Sequence, residues 1–237
     1  EGGGKTLISQ YEGYIKRITP VVKAGYLEFT EEMLRDDQYD QMPKYPKRLG
    51  VLANETMEVD FFDEVFNNGF TSSTTADGQY VFDSDHTFYP GSSTYSNLLT
   101  QAAFSVSALW TALNGIRRKV DAGGKPIVLK PKYLVHAIEI TQKVKEVLGS
   151  SYSPEDDRNA INALREYNLT PITSPYLTST TAWFIVCEEH TIHHWPLWPV
   201  TFKNEGDFQT DNSLFGVKLR YGQGVVNGIG LYGNLGA

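Results

Sequence analysis

The sequence of 237 residues predicts an α+β fold in which the subdomains are intertwined. Three observations support this. A strand-like run precedes the first helix signal, two segments at 49–69 and 99–120 carry apolar residues at helical spacing, and strand-like segments dominate the last third of the chain. The 21 glycines and 11 prolines are spread out instead of marking a linker. A chain of this length buries roughly 70–75% of its unfolded surface, so we expect a substantial core.

The N-terminal segment at residues 5–29 is predicted to form a long hairpin, interrupted at Pro20. Polar residues break up its apolar positions, and an isolated two-stranded hairpin is only marginally stable in water. We therefore expect this arm to lie on another surface. Thr30, followed by Glu31 and Glu32, predicts a short threonine-capped helix that ends near Gln41.

A longer amphipathic helix is expected after a break at Pro43 and Pro46, with Gly69 as its C-terminal cap. The polar stretch at residues 71–97 is too long for a plain loop in a compact domain. A turn at residues 76–78 and a strand at residues 79–82 predict a small hairpin within this excursion.

The apolar stripe at residues 99–120 predicts the strongest helix of the chain, with residues 121–124 as its stop. A short buried strand is expected at residues 126–129. Pro131 is then expected to open a helix that ends at Gly149, and Ser153 with Pro154 predicts a further helix start.

The C-terminal third is predicted to be rich in strands, at residues 169–173, 182–188 and 200–226. The strand at 182–188 is apolar on both faces, which is typical of a central strand. The closing glycine-rich run predicts turns.

Charge and composition exclude several classes of protein. With 28 acidic and 21 basic residues the net charge is -7, which argues against a protein that grips nucleic-acid phosphates. This acidity suits a wall that encloses DNA without holding it. The single cysteine, Cys187, allows no internal disulfide, and no apolar run is long enough for a membrane span. The first residues carry neither Met nor a signal-peptide core, so residue 1 is expected to be a cleavage point or the limit of an ordered region.

Two histidine-containing segments are candidates for a metal site. His190, His193 and His194 do not have HExxH spacing, and prolines follow them, so a polar loop is the favoured interpretation. The Asp-Ser-Asp-His run at residues 83–86 offers oxygen and nitrogen ligands. Such clusters after a strand more often form turns, and the sequence favours a turn here as well.

Other catalytic signatures are weak. Gly222-Gln-Gly224 and Gly228-Ile-Gly230 lack the strand-loop-helix order of a phosphate-binding loop. Cys187 lies in an apolar strand, where burial raises the pKa of a thiol and makes it inert. We therefore predict a protein that is not an enzyme, with no catalytic, cofactor-binding or metal residues. The arm, the polar excursion and the aromatic-proline segment at residues 195–199 instead offer surfaces for neighbouring subunits.

The order of these elements resembles that of the major capsid (head) proteins of tailed bacteriophages, and specifically the Mu-like major head subunit family with the Hong Kong phage capsid fold. The resemblance covers nearly the whole chain. The residues that carry it are 29–37, Asp77-Gly78 with Phe82, Asp85-His86, 124–134 and 216–222.

The resemblance implies an extended E-loop arm at residues 1–30, a peripheral domain at 31–97 and 200–237 with a long spine helix near 48–68, and an axial α+β domain at 98–199. It implies self-assembly into pentamers and hexamers of an icosahedral head around double-stranded DNA, in the virion after assembly in the bacterial cytoplasm. Portal, scaffold and decoration proteins are the further partners it implies, and it implies no cofactor, no sequence-specific DNA binding and no membrane. Family members carry more sequence before the E-loop, and its lack here fits both the family's proteolytic removal of a scaffolding region and a disordered arm.

Three alternatives stay open at this point. An encapsulin-like compartment of the same fold would enclose enzymes instead of DNA. A metal-dependent hydrolase would rest on Asp85, His86, His190 and His193. An isopeptide bond between subunits is a further possibility in this family, and its candidate partners are Lys5, Lys16 or Lys23 with Asn227 or Asn234.

Overall fold

The structure is a computed structural model that describes residues 13–39, 41–42, 44–89, 93–154, 160–207 and 209–237. Its strands are β1 (Val21–Phe29), β2 (His86–Thr87), β3 (Thr94–Tyr95), β4 (Pro131–His136), β5 (Thr170–Thr173), β6 (Trp183–Cys187), β7 (Ile192–Gly206), β8 (Ser213–Val225) and β9 (Leu231–Asn234). Its α-helices are α1 (Glu31–Arg35), α2 (Lys44–Phe62), α3 (Val106–Arg117) and α4 (Thr141–Gly149).

A long antiparallel sheet has the order β1-β8-β7, with β8 in the centre. One face of this sheet packs on α2, where Leu49 and Ala53 bury the apolar side chains of Val217 and Leu219. A polar contact ties the layers together as well, because Asp60 of α2 accepts a hydrogen bond of 2.5 Å from the Tyr221 hydroxyl.

A second, mixed sheet has the order β5-β4-β6-β9. All five residues of β6 are buried, as predicted for a central strand. Its odd-numbered residues pack with α3 and α4 in one core, while Phe184 and Val186 face a second core on the other side. That second core is a cluster of phenylalanine rings, in which Phe184 lies 4.8 Å from Phe66 and 5.1 Å from Phe82.

The predicted N-terminal hairpin is wrong for the part of the segment that the structure describes. Residues 13–20 form no strand, and β1 pairs along its whole length with β8, from Val21↔Tyr221 to Phe29↔Ser213. A local hairpin would have no buried face, whereas β8 gives β1 a partner that already packs on α2. Residues 5–12 lie outside the described residues.

The first two helices differ from the prediction at their ends. Thr30 caps α1 as expected, accepting a hydrogen bond from the Met33 N–H at 3.3 Å, but α1 ends at Arg35 instead of near Gln41. The next helix already begins at Lys44. Pro46 lies in its first turn, where a missing N–H costs no helical hydrogen bond.

The prediction that Gly69 caps the second helix is wrong by one residue, because Asn68 is the cap. The helix continues as a π-helical turn, Asp63–Asn67, and Asn68 closes it with a hydrogen bond to the Asp63 carbonyl. Gly69 is not among the glycines with positive φ. Its role is close packing, because a Cβ there would overlap the Val65 carbonyl oxygen and lie 2.8 Å from the Phe82 ring.

The middle of the chain differs from the prediction in three places. The helix predicted from residue 99 begins only at Val106, where Ser105 caps it through a 3.0 Å hydrogen bond from the Ala108 N–H. The helix predicted from Pro131 is wrong, because β4 occupies residues 131–136 and α4 begins only at Thr141. The strand expected at 126–129 is reduced to one isolated bridge between Val120 and Pro126.

Of the remaining local predictions, some are confirmed and others are wrong. The turn at residues 76–78 is confirmed, with Gly78 at a φ of 86°, but the strand at 79–82 amounts to one bridge between Thr74 and Tyr80. The strand predicted at 169–173 is confirmed as β5. The polar loop expected around His190–His194 is wrong from Ile192 onward, where β7 begins. The helix start expected after Pro154 falls on residues 155–159, outside the described residues.

The division into arm, peripheral and axial domains stays a prediction. The long sheet with α2 and the mixed sheet with α3 and α4 are the two structural units that bear on it. One strand of the predicted peripheral tail, β9, pairs with β6 in the mixed sheet.

Candidate assembly surfaces

The histidines considered for a metal site do not converge. His193 and His194 are successive residues of β7, so their rings lie on opposite faces of the long sheet. His193 stacks on Trp195 at 4.9 Å, and His194 packs against Tyr221 at 5.6 Å. Within the described part of the chain, no group of three or more His, Cys, Asp or Glu residues is placed to hold a metal ion.

The run at residues 83–86 forms the turn that the sequence favoured. The Asp83 carboxylate accepts a 3.2 Å hydrogen bond from the backbone N–H of Asp85. Asp85 is exposed, while His86 is fully buried and points to Asp77 instead. The residues of the hydrolase alternative are therefore not brought together.

The His86 and Asp77 side chains are in direct contact and both are buried. Nδ1 of His86 lies 2.8 Å from Oδ2 of Asp77, and Nε2 lies 3.3 Å from the Val81 carbonyl oxygen. The Asp77 carboxylate is an acceptor, so Nδ1–H of His86 donates to it. Burial raises the pKa of Asp77, but hydrogen bonds from Thr75 and His86 outweigh burial, and the pKa lies below its ordinary value.

The glycine motifs and the cysteine have structural roles. A Cβ at Gly224 would lie 3.0 Å from Ile18 Cδ1, and one at Gly222 would lie 3.3 Å from Ile18 Cγ2, so both glycines make room for the arm. Gly228 leaves space for His86, since a Cβ there would lie 2.7 Å from its Nε2. Burial, and then Glu189, raise the pKa of the Cys187 thiol to about 12, in agreement with the inert thiol that was predicted.

The described part of the arm, residues 13–20, lies on the subunit through alternate side chains. Tyr14 shares a 3.0 Å hydrogen bond with the Thr87 hydroxyl, and Lys16 Nζ donates to the Thr74 carbonyl at 2.8 Å. The residues between them point outward, and Ile15 is 91% exposed. The described part of the arm therefore presents an apolar side chain to the outside while its neighbours Tyr14 and Lys16 contact the subunit.

The outer face of the long sheet, opposite α2, carries cations and aromatic rings. The register places Val22 and Trp198 on either side of Arg220, so all three share this face. Lys218 Nζ and Arg220 Cζ lie 5.4 and 5.3 Å from the centre of the Trp198 ring, as in cation–π contacts. We define the cationic face as Val22, Trp195, Trp198, Lys218 and Arg220.

The other end of β1 leads into an acidic segment. Residues 30–39 contain four carboxylates and a single cation, Arg35, which pairs with Glu31. Hydrogen bonds from the backbone N–H of Glu32 itself and from the Thr30 hydroxyl lower the pKa of the Glu32 carboxyl. Hydrogen bonds from the backbone N–H groups of Met42 and Gln41 lower the pKa of Asp37. We call this segment the acidic corner.

The candidates for an isopeptide bond are already engaged within the subunit. Lys16 contacts Thr74, and Lys23 forms an ion pair of 2.8 Å with Asp60. The Asn234 side chain is buried and donates to the Thr100 carbonyl at 2.7 Å. Asn227 accepts a 2.6 Å hydrogen bond from the Ile229 N–H, and Lys5 lies outside the described residues.

The sequence pointed to the aromatic-proline segment of this surface but not to its cations. Lys218 and Arg220 are two residues apart, which places them on one face of any strand, and this spacing was the available signal. What was missing is the register of β7 on β8, which contains two irregularities beside Trp198. No described helix has both the length and the apolarity to cross a membrane.

Comparison with known proteins agrees with this architecture. A family described as "Phage capsid protein" matches residues 14–234. The structure of Mycobacterium phage Che8 is 11% identical and covers 99% of this chain and 96% of that chain, with a TM-score of 0.56. The capsid of bacteriophage JBD30 decorated with minor capsid protein trimers is 15% identical and covers 75% and 81%, with a TM-score of 0.60. No curated protein matches the sequence significantly.

A third structure, the mature capsid of bacteriophage PhiM1, is 10% identical and covers 93% of this chain and 72% of that chain, with a TM-score of 0.59. At these identities the structural similarity shows the fold, and it confirms the expected α+β capsid fold. The family match spans nearly the whole described chain and confirms the resemblance to tailed-phage capsid proteins. The chain belongs to the phage capsid protein family.

Proposed function

We propose that this capsid protein is the major, shell-forming subunit of a tailed-phage head, in which copies of the chain close an icosahedral shell around double-stranded DNA. Many weak contacts repeated by symmetry give such a shell its stability. The virion is its location, and the host bacterial cytoplasm is the proposed place of assembly. Portal, scaffold and decoration proteins are proposed as further partners, in the way that the JBD30 capsid carries minor capsid protein trimers.

The arm is the observation that best supports this role. Residues 13–20 run along the surface, with Tyr14 and Lys16 in contact with the subunit and Ile15 exposed. The inward contacts fix the path of the arm, so the outward side chains form a defined surface for a neighbour.

The proposal assigns no catalytic role to the chain. The side chains that suggested chemistry serve packing instead: His86 pairs with Asp77, His193 stacks on Trp195, and Cys187 is buried in the central strand. The net charge of -7 fits a container whose wall does not adhere to the enclosed DNA.

We also propose the domain division that the resemblance implies, with the long sheet and α2 as the peripheral domain and the mixed sheet as the axial domain. In this proposal β9 joins the axial sheet, because it pairs with β6 from Trp183↔Asn234 to Val186↔Leu231.

Negative-stain electron microscopy of the purified chain tests the function. We expect shells from the wild type and dispersed, folded subunits from a variant that lacks residues 1–19, since this deletion leaves β1 intact. Lys125→Ala, an exposed change in the turn after α3, is the matched control and should leave the shells unchanged. Wild-type chains that remain monomers or small oligomers would refute the shell-forming role, and normal shells from the deletion would refute the role of the arm.

Particles from phage-producing cells distinguish a head from a compartment of the same fold. Nuclease-protected double-stranded DNA in purified particles is the expected result. Particles that hold protein cargo and no protected DNA would contradict the proposed function.

A further inference from the structure

Two surfaces of the subunit lack a partner of their own and are complementary to each other. We propose that the acidic corner of one copy of this chain docks on the cationic face of a neighbouring copy. The inference rests on the proposed function, because it assigns a contact within the shell. The partner surface presents carboxylates beside apolar side chains.

The cationic face carries charge that its own subunit does not neutralise. Neither Lys218 nor Arg220 forms an ion pair within the described residues. The Nε atom of Arg220 is buried without a hydrogen-bond partner in this part of the chain. Two neighbouring cations that form no ion pair among the described residues repel each other, and a neighbour's carboxylates would remove this cost.

The rings on this face add an apolar component. Trp195 and Trp198 are each 44% exposed, and Val22 of the adjacent strand is 49% exposed. Tryptophan and arginine together are typical of the centre of protein interfaces, where a partner excludes water from them. The occupant of this face must therefore bring apolar side chains as well as negative charge.

The acidic corner has both properties. Helix α1 has only five residues and buries none of them, although such a short helix is not stable without tertiary contacts. Met33, Leu34 and Tyr39 are exposed, and Tyr39 reaches 78%. Glu32, Asp36 and Asp37 surround these apolar side chains with negative charge.

The geometry of β1 separates the two surfaces within one subunit. Val22 lies beside Arg220 at the start of the strand, whereas the corner follows Phe29 at its end. Seven residues of extended chain span about 23 Å. Helix α2 then returns along the opposite face of the sheet, so the corner cannot reach the cationic face of its own subunit. The contact is therefore between different surfaces of two copies, which is the kind of interface that closes into rings.

Charge reversal tests this contact in full-length chains that assemble as the wild type. We expect the Lys218→Glu/Arg220→Glu variant to give at least tenfold fewer particles by electron microscopy, with an unchanged circular-dichroism spectrum. The matched control is Arg118→Glu/Lys125→Glu, which makes the same change in charge at exposed positions outside the long sheet and should assemble normally. Glu32→Lys/Asp36→Lys should also fail to assemble, and it leaves the Glu31–Arg35 pair in place.

The decisive variant combines both reversals in one chain. It carries a basic corner and an acidic face, so the contact is restored with opposite polarity, and we expect its particle yield to return to within threefold of the wild type. Shells from the Lys218→Glu/Arg220→Glu variant alone would overturn the inference. A combined variant that stays dispersed while folded would overturn it too. Because both outcomes are judged against wild-type shells, failure of this contact is distinct from failure of the proposed function.

Discussion

Replacing Asp77 by Asn is expected to destabilise the subunit strongly, because Asp77 is the only carboxylate that contacts the buried His86 ring among the described residues. The Asp77 side chain is 5% exposed. Besides His86, its oxygens accept hydrogen bonds from the N–H groups of Gln79 at 3.2 Å and Thr87 at 3.1 Å, and from the Thr75 hydroxyl. An asparagine keeps the shape, but it removes the charge and turns one acceptor into a donor.

The size of the effect follows from this environment. A hydrogen bond to a buried charged group contributes about 1.5–3 kcal/mol. Several such bonds end on the Asp77 carboxylate, so we expect the upper end of this range, about 3 kcal/mol. For a chain of this length, this corresponds to a melting temperature lower by about 6–12 °C. Thr87 also holds the arm through Tyr14, so the arm should loosen along with the pair.

The effect should depend on pH with a definite sign. The pKa of Asp77 in the folded state lies below its ordinary value of 3.8. The carboxylate therefore contributes stability that is fully present above pH 3.8, and this stability is lost as the pH falls through the lower folded pKa. Asp77→Asn lacks this contribution at every pH, so its deficit relative to the wild type should shrink below about pH 4.

Urea unfolding of the unassembled subunit, followed by circular dichroism between pH 3 and pH 7, measures this difference. Asp121→Asn is the matched control, since Asp121 accepts its hydrogen bonds in an exposed turn and should change stability by less than about 1 kcal/mol. An Asp77→Asn variant within 1 kcal/mol of the wild type at pH 7 would refute the stabilising role of the Asp77 carboxylate. A deficit that did not change with pH would refute the assignment of the effect to the carboxylate.

Three further changes test the packing of the subunit. Gly224→Ala should displace Ile18, because Ile18 Cδ1 would lie 3.0 Å from the new Cβ. Trypsin should then cut at Arg17 several-fold faster than in the wild type. An unchanged cleavage rate would contradict the packing of the arm on Gly224. Cys187 should react with a thiol reagent only after unfolding, because burial raises its pKa to about 12, and labelling of the native subunit would argue against this. Asn67→Ala removes the hydrogen bonds that join the π-helical turn to the β5–β6 loop and should cost about 2 kcal/mol in urea unfolding; a loss below 0.5 kcal/mol would speak against that joint.

The sequence predicted an element correctly where the spacing of its apolar residues fitted only one type of secondary structure. The stripe through Leu109, Leu113 and Ile116 predicted α3, and the apolar run of β6 predicted a central strand. It misled at residues 131–136, because Leu134 and Ile138 are also spaced as on a helix. The structure buries Leu134 and Val135 in opposite cores, which only a strand achieves, and its partner β6 lies some fifty residues away.

The assembly surfaces show the same limit. The exposed tryptophans were visible as a segment, and the acids of residues 28–37 were visible as a run. They can be recognised as complementary surfaces only once it is known which face of the sheet holds Lys218 and Arg220. The pairing of β8 with β1 and β7 decides that face. Pairing between segments some 190 residues apart in sequence leaves no periodic trace in either segment.

The β7 edge of the long sheet suits contacts between copies that are made through side chains instead of through an added strand. Strand β7 forms an edge of this sheet, and Pro196 and Pro199 remove two backbone donors from it. Irregularities in its pairing with β8 lie between Pro196 and Trp198 and between Trp198 and Thr201. An edge interrupted in this way does not accept a continuous partner strand. A hydrogen-bonded ladder fixes the angle between its strands, whereas tryptophan and arginine side chains adjust to small changes of angle. Contacts of the second kind suit a shell in which the same chain occupies five-fold and six-fold surroundings.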